Sequence, residues 1–301
     1  GLLASYISIL ITNFFGFSVV ITNIYLFLIP AFVFILGGMI PQEEKNLPKV
    51  HYETTIWQWT PIFLASIAAL FMLITLFNFW RADIAYAKGY NLSRIGENQL
   101  AYQDLHHAVQ LRDEPVFKDE LAANNAILVG SLLSDPNKKE DPETLASASS
   151  LARQAITISD QITSMYPNNI VFWKARVAIF FALSQVDARY LASALEAIEK
   201  ASRLAPNDAN IFYNLGVLYG RNNKIAEGIE ALEKTVILKS DYADARYALG
   251  LFYRTAAMDQ EGTMVINREL NQKAIDQMQY ILTHLAPNNT SAIEAIKDWK
   301  K

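Results

Sequence analysis

The chain has 301 residues, a net charge of −4, four histidines and no cysteine. The missing cysteine excludes disulfides, zinc–thiolate sites and thiol nucleophiles. Basic and acidic residues, 26 and 30 in all, form no basic stripe, so nucleic acid is not an expected partner.

Residues 1–42 carry no charge. Forty residues of helix would run about 60 Å, roughly twice a hydrocarbon core, so the stretch must break. Gly16 and Ser18 in Asn13–Ser18 permit a turn and a helix N-cap. This predicts a truncated helix at 1–13 and a span at 19–40, kinked at Pro30 and closed by Gly37, Gly38 and Pro41. The chain opens Gly-Leu-Leu-Ala without a basic start, which reads as the tail of a membrane helix and as the C-terminal piece of a longer protein. Residues 42–55 form a polar loop. Residues 56–80 are again charge-free, about 37 Å as helix, with Trp57 and Trp59 at one end and Trp80 at the other, as interfacial aromatics stand. The bland reading is a buried core helix; a 25-residue charge-free run after another span argues against it. Lys45 and Lys49 on one side and Arg81, Lys88 and Arg94 on the other leave the orientation open. Residues 1–80 are therefore expected in a lipid bilayer, and 81–301 form a separate helical domain.

Past Arg81 the chain repeats on itself. Phe212-x-x-Leu215-Gly216-x-x-Tyr219 recurs 34 residues on as Leu249-Gly250-x-x-Tyr253. Ala194 lies twelve residues before Pro206, and Ala155 twelve before Pro167; Trp173 occupies the Phe212 position of the preceding unit. These residues resemble tetratricopeptide repeats. The small residues let paired helices approach, and proline closes the second helix of each pair. The expected fold is all-α: transmembrane helices followed by an α-solenoid of pairs at 82–111, 116–165, 169–204, 208–239 and 242–285, with a capping helix at 290–300. The spacing of the closing positions puts insertions near 184–190 and 256–270, a longer loop at 134–143, and the last second helix one residue out of register.

Stacked repeats present the first helix of each pair to a groove. The register nominates Lys174, Asn210, Tyr213, Asn214, Arg221, Tyr247 and Arg254 as groove residues, with a protein or polysaccharide as partner. Tyr and Arg are good anchors for an extended ligand; ordinary solvated helix positions are the competing reading. The subgroup of these repeats that clamps chaperone C-termini uses Lys and Asn where Tyr213 and Val217 stand, so that ligand is not expected. His106 and His107 are adjacent and point apart on a helix, and no phosphate loop, nucleophile elbow or metal motif is present. No catalytic residue, cofactor or metal is expected.

The order Asn-Phe-Phe-Gly-Phe-Ser, span, short loop, final span and Arg81-Ala82-Asp83-Ile84-Ala85-Tyr86, then repeats, resembles the C-terminal end of bacterial O-antigen ligase/polymerase-like proteins. The resemblance rests on Tyr6 through Leu36 and on Arg81 through Tyr86. It implies a multi-span glycosyltransferase of the cell envelope that moves a glycan from an isoprenoid diphosphate carrier. Its active site would lie upstream of these residues, and the repeats would sit outside the cytoplasm. The alternative is a non-enzymatic membrane-anchored adaptor for protein–protein interaction.

Overall fold

The computed structural model describes residues 28–33, 35, 56–134, 140–259 and 261–300. The expected helix 1–13, most of the span 19–40 and the loop 42–55 lie outside the described residues. The chain divides into two compact units, 1–67 and 68–301. In the first, residues 28–33 and 35 are helical.

Helix α1 runs unbroken over Ile56–Arg94. Phe63–Arg94 is long and apolar enough to cross a membrane, with a mean hydropathy of 2.0 over its most apolar window and none of that window buried. Five successive residues, Leu70 to Ile74, are all exposed, Phe71 at 70 %. An amphipathic surface helix would bury one stripe of such a run; this segment has no buried stripe. At Ala82 and Ala85 the pattern changes, and one face is buried against Ala108 and Phe117. The sequence suggested two elements joined at Trp80–Arg81. They are one helix, because no residue there breaks it.

The C-terminal third of α1 is the first helix of a repeat. A methyl group added at Gly89 would lie 2.7 Å from Leu105 Cγ; one added at Gly216 would lie 2.6 Å from Leu232 Cγ. Both glycines precede their leucine by 16 residues. Both helices also end alike. Gly96, at φ 85°, follows α1, and Asn223, at φ 57°, follows the helix of Gly216. Each closes a left-handed cap, in which Glu97 N–H reaches Leu92 O at 2.9 Å and Lys224 N–H reaches Tyr219 O at 2.9 Å.

Helix pairs follow in order: α2 (Asn98–Leu111), α3 (Pro115–Leu133), α4 (Pro142–Met165), α5 (Ile170–Ser184), α6 (Tyr190–Leu204), α7 (Ala209–Arg221), α8 (Ile225–Leu238), α9 (Ala243–Ala257), α10 (Arg268–Tyr280) and α11 (Thr290–Trp299). Asp141, Asn169, Asp208, Asn267 and Asn289 cap five of them by accepting backbone N–H groups at 2.8–3.1 Å. Each cap contributes about 1 kcal/mol. The insertion expected near 256–270 is a tight loop. In it the Asp259 carboxylate accepts Thr263 N–H at 2.7 Å and Met264 N–H at 3.1 Å. The register slip in the last pair is a single π turn, Ile281–Leu285, in which Ala286 N–H bonds five residues back to Ile281 O at 2.7 Å. It absorbs one extra residue between Met278 and Pro287.

Several contacts repeat with the units. Trp173 Nε1–H donates to Pro167 O at 2.9 Å, and Arg246 Nε–H donates to Ser240 O at 2.7 Å, each six residues back. In these two units a side chain in the first turns of the first helix thus ties itself to the end of the preceding pair. Tyr219 O–H donates to Glu199 at 2.9 Å, and Tyr253 O–H donates to Glu233. Phe252 enters the space left by Gly220 and Gly228 of the preceding unit. These interlocks tie each pair to the one before it.

Candidate functional site

The first helices of the pairs place the seven nominated side chains in two groups. Lys174, Asn210 and Asn214 surround one cavity of about 170 Å³, floored by Val177, Ile198 and Ile211. Asp208 positions it from α7. Its carboxylate caps the helix at Asn210 N–H and accepts Lys174 Nζ at 2.6 Å. The Lys174 hydrogen bond is the main cause holding the Asp208 carboxyl below its ordinary range. Lys174 is thereby fixed at the rim with its charge already balanced.

Asn210 and Asn214 are exposed and one helical turn apart. Among the described residues neither side-chain amide has a hydrogen-bond partner. Each offers one acceptor and two donors above an aliphatic floor. Such a surface suits the main chain of an extended peptide, whose N–H and C=O groups need both.

The other four nominated residues are engaged within the array. Tyr213 packs against Tyr242, ring centroids 5.1 Å apart. Tyr242 stands 34 residues after Asp208, so Tyr213 repeats the Lys174–Asp208 contact with a ring in place of the ion pair. Arg221 lies 4.6 Å above the Phe181 ring and donates to Gln185 at 3.2 Å. Tyr247 packs on the cluster of Met278, Ile281 and Ala292. Arg254 is partly buried and donates to Asn271. These side chains pack on or bond to neighbouring helices, whereas the two asparagine amides are exposed.

Sequence reasoning missed the same pattern in the first repeat. Tyr86 and Arg94 stand eight residues apart, as do Tyr213 and Arg221. Tyr86 stacks on Phe117 at 4.5 Å, and Arg94 lies 4.8 Å from the Tyr90 ring centre. The pair was placed at 82–111, and Gly89, sixteen residues before Leu105, carried the signal that would have fixed its register and so nominated Tyr86 and Arg94. Facing these residues, Asp119 and Glu120 of α3 form an acidic pair. Burial first, and Glu120 second, push Asp119 up to about 7.

His106 stacks on Tyr102 at 5.6 Å and His284 on Tyr280 at 4.3 Å. Among the described residues no three His, Asp or Glu side chains come together as metal ligands.

No family model matches the chain, and no curated protein matches it. Among solved structures it is similar to a tetratricopeptide repeat protein from Parabacteroides merdae, at 13% identity and a TM-score of 0.50, over 73% of this chain and 72% of that one. A thermophilic tetratricopeptide protein of Thermus thermophilus is 16% identical over 73% of this chain and 98% of its own, with a TM-score of 0.46. YrrB, a tetratricopeptide protein with an unusual peptide-binding site, is 16% identical over 71% and 90%, with a TM-score of 0.43. At such identities the likeness is one of fold. The first of these, with the 34-residue register and the paired helices, makes the fold of the repeat region a tetratricopeptide one.

Proposed function

We propose that this chain is a membrane-anchored tetratricopeptide adaptor that holds an extended segment of a partner protein against α5 and α7. The observation that carries the reading is the pair of unengaged amides, Asn210 and Asn214, on an aliphatic floor beside a neutralised Lys174. Such a site binds main chain and tolerates a range of side chains. Anchoring rests on α1, whose large apolar residues from Phe63 to Trp80 are exposed all around the helix. Lipid is the environment in which that surface costs nothing, and α1 is long enough to cross it.

A photoreactive amino acid placed at Asn214 in the full chain, in its native membrane, tests the site. The proposal predicts a cross-link to one protein, absent when the same group replaces Glu196. Cross-linking to lipid or glycan alone, or none, refutes it.

A second reading comes from the resemblance of residues 6–36 and 81–86 to O-antigen ligase-like proteins. The unbroken passage of α1 through Arg81-Ala82-Asp83 into the first repeat is compatible with it. There the repeats would be an accessory domain of a glycan transferase with its active site elsewhere. Loss of glycan transfer on deletion of the repeats would favour this reading; unchanged transfer would remove it.

A further inference from the structure

The α3–α4 pair is longer than the pairs that follow. Helices α3 and α4 have 19 and 24 residues, against 13 to 15 for α5 to α10. Helix α4 exceeds α6 by nine residues, about 13 Å of helix. The added turns, together with the end of α5 and the α5–α6 turn, line a cavity of about 440 Å³. It shares no residue with the Lys174–Asn214 cavity.

One wall is apolar: Val129 and Leu133 of α3, Leu145 and Ala152 of α4, and Leu183 and Val186 at the end of α5. Leu145 and Val186 stand at its mouth, 43% and 41% exposed. The other edge is polar. Ser149, Arg153 and Thr157 follow at four-residue spacing along α4 and so form one line. Among the described residues none of these three side chains has a hydrogen-bond or ion-pair partner. Across the cavity, Arg189 is closed onto Asp187, with Nε 3.0 and 2.9 Å from the two carboxylate oxygens and Nη2 at 2.7 Å. That pair is neutral as a unit. Among the described residues of the lining, the one uncompensated charge is therefore the Arg153 guanidinium.

An apolar trough of this volume with few convergent polar groups has the make-up of a ligand site. Its charge selects the ligand's sign. A carboxylate meets a guanidinium in paired, charge-assisted hydrogen bonds, and the apolar wall takes aliphatic side chains. We infer that this trough is a second docking site, for an acidic peptide segment of a partner protein. One or two large aliphatic side chains lie between α3 and α4, and an Asp or Glu lies on Arg153. The assignment is independent of what binds at Asn210 and Asn214.

The test uses the full chain in nanodiscs and a random octapeptide library, counter-selected against the Arg153→Glu variant. The inference predicts enriched peptides that combine Leu, Ile or Phe with Asp or Glu. Their affinity falls at least tenfold with Arg153→Glu and with Ala152→Trp, and stays unchanged with Asn214→Ala. Because Ala152→Trp fills the trough and could disturb the fold, Arg153→Ala serves beside it: it removes a surface charge alone and should weaken binding while helicity stays unchanged. Peptides without an acidic pattern, affinities indifferent to Arg153, or no enrichment would each overturn the assignment.

Discussion

Two glycines on the same chain should respond to alanine with opposite signs. Both Gly130 and Gly216 lie inside helices, where Gly→Ala gains about 1 kcal/mol of helix propensity. At Gly130 an added methyl group meets nothing within 4 Å, so the gain stands alone. At Gly216 the methyl would lie 2.6 Å from Leu232 Cγ, 3.0 Å from its Cδ2 and 3.2 Å from Gly228 O. Leu232 is fully buried, and the third atom is backbone, so neither yields cheaply. Overpacking of this kind costs about 1–3 kcal/mol, which exceeds the propensity gain. Gly130→Ala should therefore stabilise by about 0.5–1 kcal/mol, and Gly216→Ala should destabilise by about 1 kcal/mol net. Thermal melts of the full chain in detergent, followed by helical circular dichroism, read both. For a domain of this size 1 kcal/mol corresponds to about 2–4 °C. If Gly216→Ala melts at or above the parent, the close approach of α7 and α8 is not as described, and the repeat register fails with it.

Other outcomes are equally definite. Phe252→Ala empties the seat formed by Gly220 and Gly228; it should cost about 3 kcal/mol, read by urea denaturation. Asp208→Ala removes a helix cap and should cost about 1 kcal/mol; the same change should loosen Lys174 and alter cross-linking from Asn214. Tyr219, half-buried and donating to Glu199, has its pKa raised from 10.0 to about 12 by desolvation first and by that hydrogen bond second. A raised folded value means this stability is complete below pH 10 and lost as pH rises through 12. Melts between pH 9 and 12 should fall more steeply for the parent than for Tyr219→Phe. Asp119 is raised from 3.8 to about 7, so its contribution is full below pH 3.8 and lost as pH rises through 7. Asp119→Asn should therefore raise the melting temperature at pH 8 and leave it unchanged near pH 4.

Much of this architecture was legible in residue spacing. The 34-residue recurrence of Leu215-Gly216-x-x-Tyr219 located α7 and α9, because a small residue between two large ones is a steric requirement of paired helices. The slip before Pro287 was visible as a count; only backbone geometry assigns it to a π turn. The first repeat was half legible. The pair at 82–111 was placed, but Gly89 was masked by the apolar run that α1 continues. The groove was least legible. Spacing placed Lys174 and Tyr213 at equivalent positions, yet their partners Asp208 and Tyr242 lie one repeat on, and pattern alone does not separate an interlock from an open contact. Nor did it mark Arg153, since the length of α3 and α4 beyond their neighbours is a property of the packed array.

The central claim concerns α1: lipid on every side of its apolar part, and protein on one face from Ala82 onward. Spin labels placed singly from Phe63 to Leu92, in the chain reconstituted in vesicles, measure this directly by their accessibility to oxygen and to a water-soluble nickel complex. The account predicts oxygen access at all positions from Phe63 to Phe79, highest near the middle. A helical period of nickel access should begin at Ala82. A helical period of nickel access between Leu70 and Phe77 would contradict it.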